Sequence, residues 1–115
     1  MVKKATKRKV VRKKTTKRKW YRPEALTPAY QRLVKTVRER DELKCQYPGC
    51  KKKRFGLEVH HILPWNPYVA QRYNPMNCIL LCRKHHELVT GKELAYAQLF
   101  SQIVMQNVIK QNSKR

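Results

Sequence analysis

Two stretches of helical periodicity flank a central segment that follows no single period. In the first stretch, apolar residues recur every three or four positions up to about Asp41, at Ala29, Tyr30, Leu33, Val34 and Val37. Thr27 and Pro28 precede them, and threonine as N-cap with proline at the first helical position is a strong helix start. This pattern predicts an N-terminal helix.

A second helix is predicted over residues 91–111. Thr90 and Glu93 have the spacing of a capping box, with threonine as the N-cap. Apolar residues then recur at Leu94, Leu99, Phe100, Ile103, Val104, Val108 and Ile109. We expect this apolar stripe to pack on the core or on a second copy of the chain, which makes the C-terminal helix the predicted homodimer surface.

The segment between these helices contains two short runs of strand type, separated by a long loop. Leu57 to Pro64 is predicted as a strand that ends in paired histidines, and Cys78 to Leu81 as a second, apolar strand. The loop from Trp65 to Met76 is rich in aromatic residues, which we expect to pack within the loop. The sequence therefore predicts one small α+β domain over residues 23–115, with its core at 43–90.

Positive charge dominates the composition. The chain has 115 residues, and its 28 Lys and Arg against 7 Asp and Glu give a formal net charge of +21. Such an imbalance indicates a polyanionic partner, DNA or RNA before an acidic membrane. No run approaches the ~18 apolar residues of a membrane span.

The basic residues are densest at the N-terminus, where residues 1–22 are predicted to form a disordered arm. Its candidate phosphate contacts are Lys13, Lys14, Lys17, Arg18 and Lys19. The same run is compatible with a nuclear-import signal in a eukaryote. Without the apolar region of a secretory signal, a cytoplasmic location is expected, in the host cytoplasm if the protein is encoded by a virus.

Two short-spaced pairs of ligand-type residues predict a structural zinc site. Cys45 and Cys50 flank a Pro-Gly turn that can bring both sulfur atoms to one side of the backbone. Cys82 and His85, three residues apart at a predicted helix start, project the same way. A site of three cysteines and one histidine leaves no open coordination position, so it would be structural. Cys78 is best explained as a buried thiol, with an all-cysteine site that uses Cys78 in place of His85 as the alternative.

The remaining histidines form a more specific pattern. A His-His pair at His60 and His61 is followed by Asn77, which precedes Cys82 by five residues, and His86 closes the run. In this arrangement the segment from Cys45 to about Val89 resembles the ββα-metal core of the His-Asn-His (HNH) endonuclease family. The resemblance covers roughly two fifths of the chain.

The resemblance implies a role for each of these residues. His61 would be the general base that takes a proton from the attacking water, and Asn77 would orient the loop and the base. His60 and His86 would hold one divalent ion, Mg²⁺ or Mn²⁺ by preference, with Ni²⁺, Co²⁺ or Zn²⁺ as alternatives. Some family members have a further histidine where this chain has Thr90, so we expect a looser metal site with water as the substitute ligand.

Several further residues are candidates for contacts with nucleic acid or with the site. Arg72 in the long loop is a candidate phosphate contact, as is the run Lys51, Lys52, Lys53 and Arg54 after the first cysteine pair. Glu58 is either a solvated strand residue or the partner of a basic side chain. Because no separate recognition helix is apparent, we expect weak sequence preference and strong salt dependence. The slope of log K against log salt concentration should be about −0.9 for each phosphate contacted.

The sequence thus predicts a metal-dependent endonuclease that nicks or cuts DNA. The alternative is a zinc-stapled nucleic-acid-binding protein without hydrolytic activity, which would need no second metal. A third interpretation is an HNH scaffold that has lost its activity and acts as a partner subunit. The small size would suit a virus-encoded nuclease that works in a DNA-packaging or repair complex.

Overall fold

The computed structural model describes residues 27–114. The predicted basic arm, with Lys13, Lys14, Lys17, Arg18 and Lys19, lies outside the described residues. The order of elements is α1 (Pro28–Arg40), β1 (Leu57–His61), β2 (Cys78–Cys82), α2 (Arg83–Val89) and α3 (Glu93–Ser113). Two short 3₁₀ turns, Val69–Gln71 and Pro75–Asn77, lie in the loop between the strands.

Helix α1 begins where the sequence predicted. Thr27 is its N-cap and its hydroxyl accepts a hydrogen bond from the backbone N–H of Tyr30 at 3.1 Å. The helix buries Leu33 and Val37, one turn apart, against the rest of the domain. This spacing places both side chains on one face, and the exposed residues lie between them.

The two strands form an antiparallel ribbon at the centre of the fold. Leu57 pairs with Cys82 and His61 pairs with Cys78 at the two ends of the register. All five residues of β2 are buried, because α1 and α3 cover the strand while β1 pairs with it. Helix α2 follows β2 without a connecting loop, and this ββα order confirms the predicted α+β core.

Helix α3 begins later than predicted, and the predicted capping box does not form. The N-cap is Lys92, and Thr90 instead donates its hydroxyl proton to the carbonyl of His86 at 2.6 Å, at the end of α2. Glu93 accepts from the backbone N–H of Gly91 at 3.1 Å. Gly91 has a φ of +85°, so the chain turns sharply between the helices and Thr90 faces the preceding helix.

The core forms where the helices meet the strands. It includes Val37 from α1, Ile79 from β2, and Phe100 and Val104 from α3, each fully buried. The other apolar residues of α3 do not all join this core, because Leu94, Leu99, Met105 and Ile109 are exposed. Within residues 27–114, no helix is long and apolar enough to cross a membrane.

Candidate functional site

The first pair of predicted zinc ligands lies on a tight turn before β1. The backbone N–H of Cys50 donates to the carbonyl of Tyr47 at 3.0 Å, and the N–H of Cys45 donates to the carbonyl of Lys52 at 2.9 Å. Gly49 has a φ of +86°, a conformation that glycine adopts without the steric cost a side chain would add. The Pro-Gly turn thus brings both thiols to one side, as the sequence predicted.

The second pair, at the junction of β2 and α2, completes a cluster of four. The ligand atoms of Cys45, Cys50, Cys82 and His85 all lie within 4.8 Å of one another. The Sγ atom of Cys82 is 3.9 Å from that of Cys50 and 3.2 Å from Nδ1 of His85. Ligands at about 2.3 Å from a tetrahedral zinc ion are separated by about 3.8 Å, so the cluster is compatible with a zinc site.

Aromatic packing orients the histidine of this cluster. The ring of Tyr47 stacks on that of His85 with a centroid distance of 4.1 Å and an interplanar angle of 2°. Tyr47 in turn contacts Tyr96 and Phe100 of α3. The imidazole is therefore held against the core with its Nδ1 directed toward the sulfur atoms.

The thiols of the cluster differ in how readily they ionise. Burial raises the pKa of Cys45 to about 12. Burial also opposes ionisation of Cys82, but the backbone amides of His85 and Lys84 and the neighbouring thiols outweigh it and lower the pKa of Cys82. Cys82 precedes the first residue of α2, where backbone N–H groups favour a negative charge.

Cys78 lies outside this cluster. It is fully buried at the start of β2, and burial raises its pKa to about 12. The structure groups His85, rather than Cys78, with the other three cysteines. Cys78 thus matches the buried thiol that the sequence analysis favoured over the all-cysteine site.

Two further histidines face each other on the side of β1 that is covered by α2. The rings of His60 and His86 have a centroid distance of 5.3 Å and lie nearly perpendicular. Nε2 of His60 is buried and has no hydrogen-bond partner within residues 27–114. Burial, and then the nearby His86, lower the pKa of His60 to about 4, so its imidazole is neutral at pH 7. A neutral, buried and unpartnered imidazole nitrogen fits a metal ligand.

Glu58 completes this histidine pair. Its Oε1 lies 2.7 Å from Nδ1 of His86. Alternation along β1 puts Glu58 on the same face as His60. Of the two interpretations of Glu58 from the sequence, the structure shows the contact with a basic side chain. A hydrogen bond from Nδ1–H to the carboxylate leaves the lone pair of His86 on Nε2.

His61 lies on the opposite face of β1, in an aromatic pocket. Its Nε2 is 2.9 Å from the backbone carbonyl of Arg72, and a carbonyl can only accept, so Nε2 carries the proton. The acceptor nitrogen of the neutral ring is therefore Nδ1. The rings of Trp65 and Tyr30 pack on the imidazole at centroid distances of 5.2 and 6.5 Å.

Asn77 joins the two ends of the loop between the strands. Its side-chain oxygen accepts from the N–H of Leu63 at 2.9 Å, and Nδ2 donates to the carbonyls of Leu63 and Gln71 at 3.2 and 3.3 Å. Its own carbonyl accepts from the N–H of Ile62 at 2.7 Å. Buried Asn77 thus fixes the backbone on both sides of the carbonyl that His61 contacts.

Arg72 supports the same loop with its side chain. Its Nε donates to the carbonyl of Trp65 at 2.9 Å, an Nη contacts the side chain of Asn66, and the guanidinium lies 4.5 Å from the centre of the Trp65 ring. Its contact with His61 is made through the backbone, a role that a charge-based interpretation of the sequence does not reveal. Its contact with phosphate stays a prediction.

The basic run after the zinc turn is exposed. Lys53 forms a β-bridge with Lys44, which ties the run to the segment before Cys45. Lys51, Lys52, Lys53 and Arg54 all have exposed side chains. They are accessible to a polyanion, and their contact with nucleic acid also stays a prediction.

Comparison with known proteins agrees with this geometry. Residues 45–91 match the family model described as HNH endonuclease. They include the four residues of the zinc cluster and also His60, His61, Asn77 and His86. This segment is similar to the HNH family. The match confirms the family that the His-His, Asn and Cys-His spacing indicated, and an HNH domain indicates a nuclease or nucleic-acid-binding role.

Curated proteins similar to this chain come from Mycobacterium tuberculosis. The uncharacterized protein Rv3776 is 39% identical over 70 residues, which cover 61% of this chain and 12% of that protein. The uncharacterized protein Rv2100 is 37% identical over 70 residues, 61% of this chain and 11% of that protein. The chain therefore matches only about an eighth or less of the length of these relatives. No solved structure matches the chain significantly.

Proposed function

We propose that this HNH domain is a metal-dependent endonuclease that hydrolyses DNA phosphodiester bonds. The observation that carries the proposal is the buried, unpartnered Nε2 of His60 opposite His86, whose other ring nitrogen contacts Glu58. A binding module has no need for a neutral imidazole buried without a partner, which is costly unless a ligand satisfies it.

His60 and His86 would hold the divalent ion. Two imidazole ligands suit Mn²⁺, Ni²⁺, Co²⁺ or Zn²⁺ and leave room for the oxygen ligands that Mg²⁺ prefers. When bound, such an ion stabilises the charge that develops on the phosphate and on the departing 3′ oxygen. The structural zinc of the four-residue cluster would hold β2, α2 and the preceding turn together.

His61 is proposed as the general base. Its Nε2 donates to the carbonyl of Arg72, which leaves Nδ1 as the atom that takes a proton from the attacking water. The same carbonyl would stabilise the imidazolium that forms. Asn77 would act as a positioning residue, because its hydrogen bonds to Leu63 and Gln71 fix the loop that carries this carbonyl.

DNA binding is proposed to rest on the positive charge. The exposed run from Lys51 to Arg54 and the basic arm would contact phosphates, and Arg72 would do so near the scissile bond. We expect strong salt dependence and weak sequence preference. The exposed apolar residues of α3, such as Leu99 and Ile109, offer a surface for a homodimer, in which two single-site subunits could cut both strands. Action within a DNA-packaging or repair complex, a viral origin and a cytoplasmic location stay predictions.

Cleavage of supercoiled plasmid tests the proposal. Wild type, His61→Ala and the control Gln98→Ala, an exposed residue of α3, would be purified alike and assayed with EDTA, Mg²⁺, Mn²⁺ or Ni²⁺, with zinc content and folding checked in parallel. We expect metal-dependent nicking by wild type and control, and at least a hundredfold slower nicking by His61→Ala, in line with the ~10²–10⁴-fold contribution of a general base. If wild type binds the plasmid but cleaves it with none of these metals, the zinc-stapled binding module is favoured instead.

A further inference from the structure

Phe55 exposes its aromatic ring at the end of the loop that precedes β1. The side chain is 78% exposed, more than any other large apolar residue between Thr27 and Lys114. The segment that carries it is well anchored. The N–H of Arg54 donates to the carbonyl of Leu43 at 2.8 Å, and the carbonyl of Gly56 accepts from the N–H of Arg83 at 3.2 Å. The ring is thus presented by backbone that is fixed on both sides.

The surroundings of this ring are strongly basic. Lys51 to Arg54 precede it, and Arg83 and Lys84 are exposed at the start of α2. Lys52, Arg83 and Lys84 also line one concave surface beside the zinc cluster, together with Gly56. An acidic protein surface would pair with these cations but would gain little from a protruding phenyl ring. A nucleic acid offers both phosphates for the cations and flat base surfaces for the ring.

The distance along the chain places this surface within reach of the same DNA as the candidate nuclease site. His60 is five positions after Phe55, and a chain extends at most about 3.6 Å per residue, so their Cα atoms are at most about 18 Å apart. This is about five base-pair steps of 3.4 Å. A DNA segment longer than this distance can therefore extend from Phe55 to the candidate site around His60.

We infer that Phe55 is a base-contacting residue whose ring stacks on a DNA base while the flanking lysines and arginines bind the adjacent phosphates. This inference rests on the proposed action on DNA and extends it to the substrate. A base stacks on a side chain only when it is unpaired or locally unstacked. DNA with an unpaired base near the scissile bond is therefore the preferred substrate form.

Binding measurements without cleavage test this role. The zinc-loaded full chain, without added divalent metal, would be titrated into a fluorescein-labelled duplex with a short central bubble of unpaired bases, and anisotropy followed over a range of salt concentrations. The proteins are wild type, Phe55→Ala, Phe55→Trp and the control Leu88→Ala, which truncates an apolar side chain 43% exposed on α2. Because Phe55 is exposed, these variants should keep the fold and the zinc content, which thermal melting and metal analysis check.

We expect Phe55→Ala to weaken binding about 5- to 100-fold, in line with the loss of one base stack. The slope of log K against log salt should not change, since no charge is removed. Phe55→Trp should bind at least as well as wild type, and Leu88→Ala should match wild type.

If wild type binds and Phe55→Ala binds equally well, or if Phe55→Trp binds as weakly as Phe55→Ala, the inference is wrong while the proposed nuclease function stands. If wild type binds neither the bubble duplex nor plasmid DNA, the proposed function fails as well.

Discussion

The carboxylate of Glu58 lies 2.7 Å from Nδ1 of His86, a residue 28 positions later in the chain. The contact joins β1 to α2 across the candidate metal site. Both side chains are partly exposed, 42% for Glu58 and 29% for His86, so this is not a buried ion pair that the fold requires. Its effect is local: it fixes the orientation of the imidazole and leaves Nε2 as the atom available to the proposed metal ion.

Replacement of Glu58 should therefore weaken metal binding more than it weakens the fold. We expect Glu58→Ala to lower the affinity for Mn²⁺ or Ni²⁺ about 10- to 100-fold, the usual effect of removing a partner of a ligating histidine. Glu58→Gln, whose amide oxygen still accepts a hydrogen bond, should lose less. Titration calorimetry on zinc-loaded protein gives the affinities.

The control for this change is Glu87→Ala. Glu87 is an exposed residue of α2 that pairs with Arg83 and does not contact the histidines. The Glu87→Ala variant should bind Mn²⁺ or Ni²⁺ with the affinity of wild type. Equal affinities for Glu58→Ala and wild type would show that Glu58 does not orient a ligand.

Removal of one ligand from the zinc cluster should cause loss of the metal and of the fold. Cys82→Ala leaves three ligand groups at the junction of β2 and α2, and small domains of this kind depend on a metal to offset a limited core. We expect less than one zinc per chain and no cooperative melting transition. Zinc analysis by mass spectrometry and thermal unfolding by circular dichroism give both quantities.

Cys78→Ala is the matched control, since it removes a buried thiol from the same strand. Cys78 lies outside the zinc cluster, so this variant should keep one zinc per chain and lose only the packing of one sulfur atom. Loss of zinc from Cys78→Ala, with zinc kept in Cys82→Ala, would contradict the ligand set.

A buried pair of adjacent residues, Arg40 and Asp41, should be essential for stability. Arg40 donates to both carboxylate oxygens of Asp41 at 2.8 and 3.0 Å, and also to the carbonyls of Pro75 and Cys78 at 2.7 and 2.6 Å. Asp41 in turn accepts from the N–H of Leu80 at 2.9 Å. Arg40→Met would leave a buried carboxylate without its charge partner, and we expect a loss of about 3–5 kcal/mol in the free energy of unfolding.

Urea denaturation of the zinc-loaded protein measures this loss. Arg32→Met, on the exposed face of α1, should stay within about 0.5 kcal/mol of wild type. A change for Arg40→Met no larger than that for Arg32→Met would mean that the buried network contributes little to stability.

The local features of this fold could be predicted from the sequence, because the signals are local too. Thr27 and Pro28 start α1 through contacts within one helical turn. The spacing of Cys45 and Cys50 across a Pro-Gly turn, and of Cys82 and His85 across one helical turn, similarly brings together the ligand atoms within each pair. Tertiary packing then joins the two pairs in one cluster.

The features that depend on tertiary contacts could not be predicted. Arg40 and Asp41 look like solvent-exposed charges at a helix end, yet their partners on β2 and its preceding turn lie more than 30 residues away. Thr90 and Glu93 have capping-box spacing, but the chain turns at Gly91, so Thr90 bonds to His86 in the preceding helix. The contact of His61 with the carbonyl of Arg72 is invisible in sequence because it uses the backbone.

Asn77 should affect catalysis without affecting metal binding. Its side chain fixes the loop whose carbonyl contacts His61, whereas His60 and His86 are held by β1 and α2. We expect Asn77→Ala to slow plasmid nicking about a hundredfold, the scale of a misplacement of about 1 Å of a catalytic group. The affinity for Mn²⁺ should stay within twofold of wild type. The control is Asn74→Ala. It removes the cap of the 3₁₀ turn and one hydrogen bond to the side chain of Gln71, but it keeps the bonds that Asn77 makes to the backbone of Leu63 and Gln71, so it should nick nearly as fast as wild type. Parallel loss of metal affinity and nicking in Asn77→Ala would instead mean that the loop supports the metal ligands, and the separate role of Asn77 in positioning the base would be wrong.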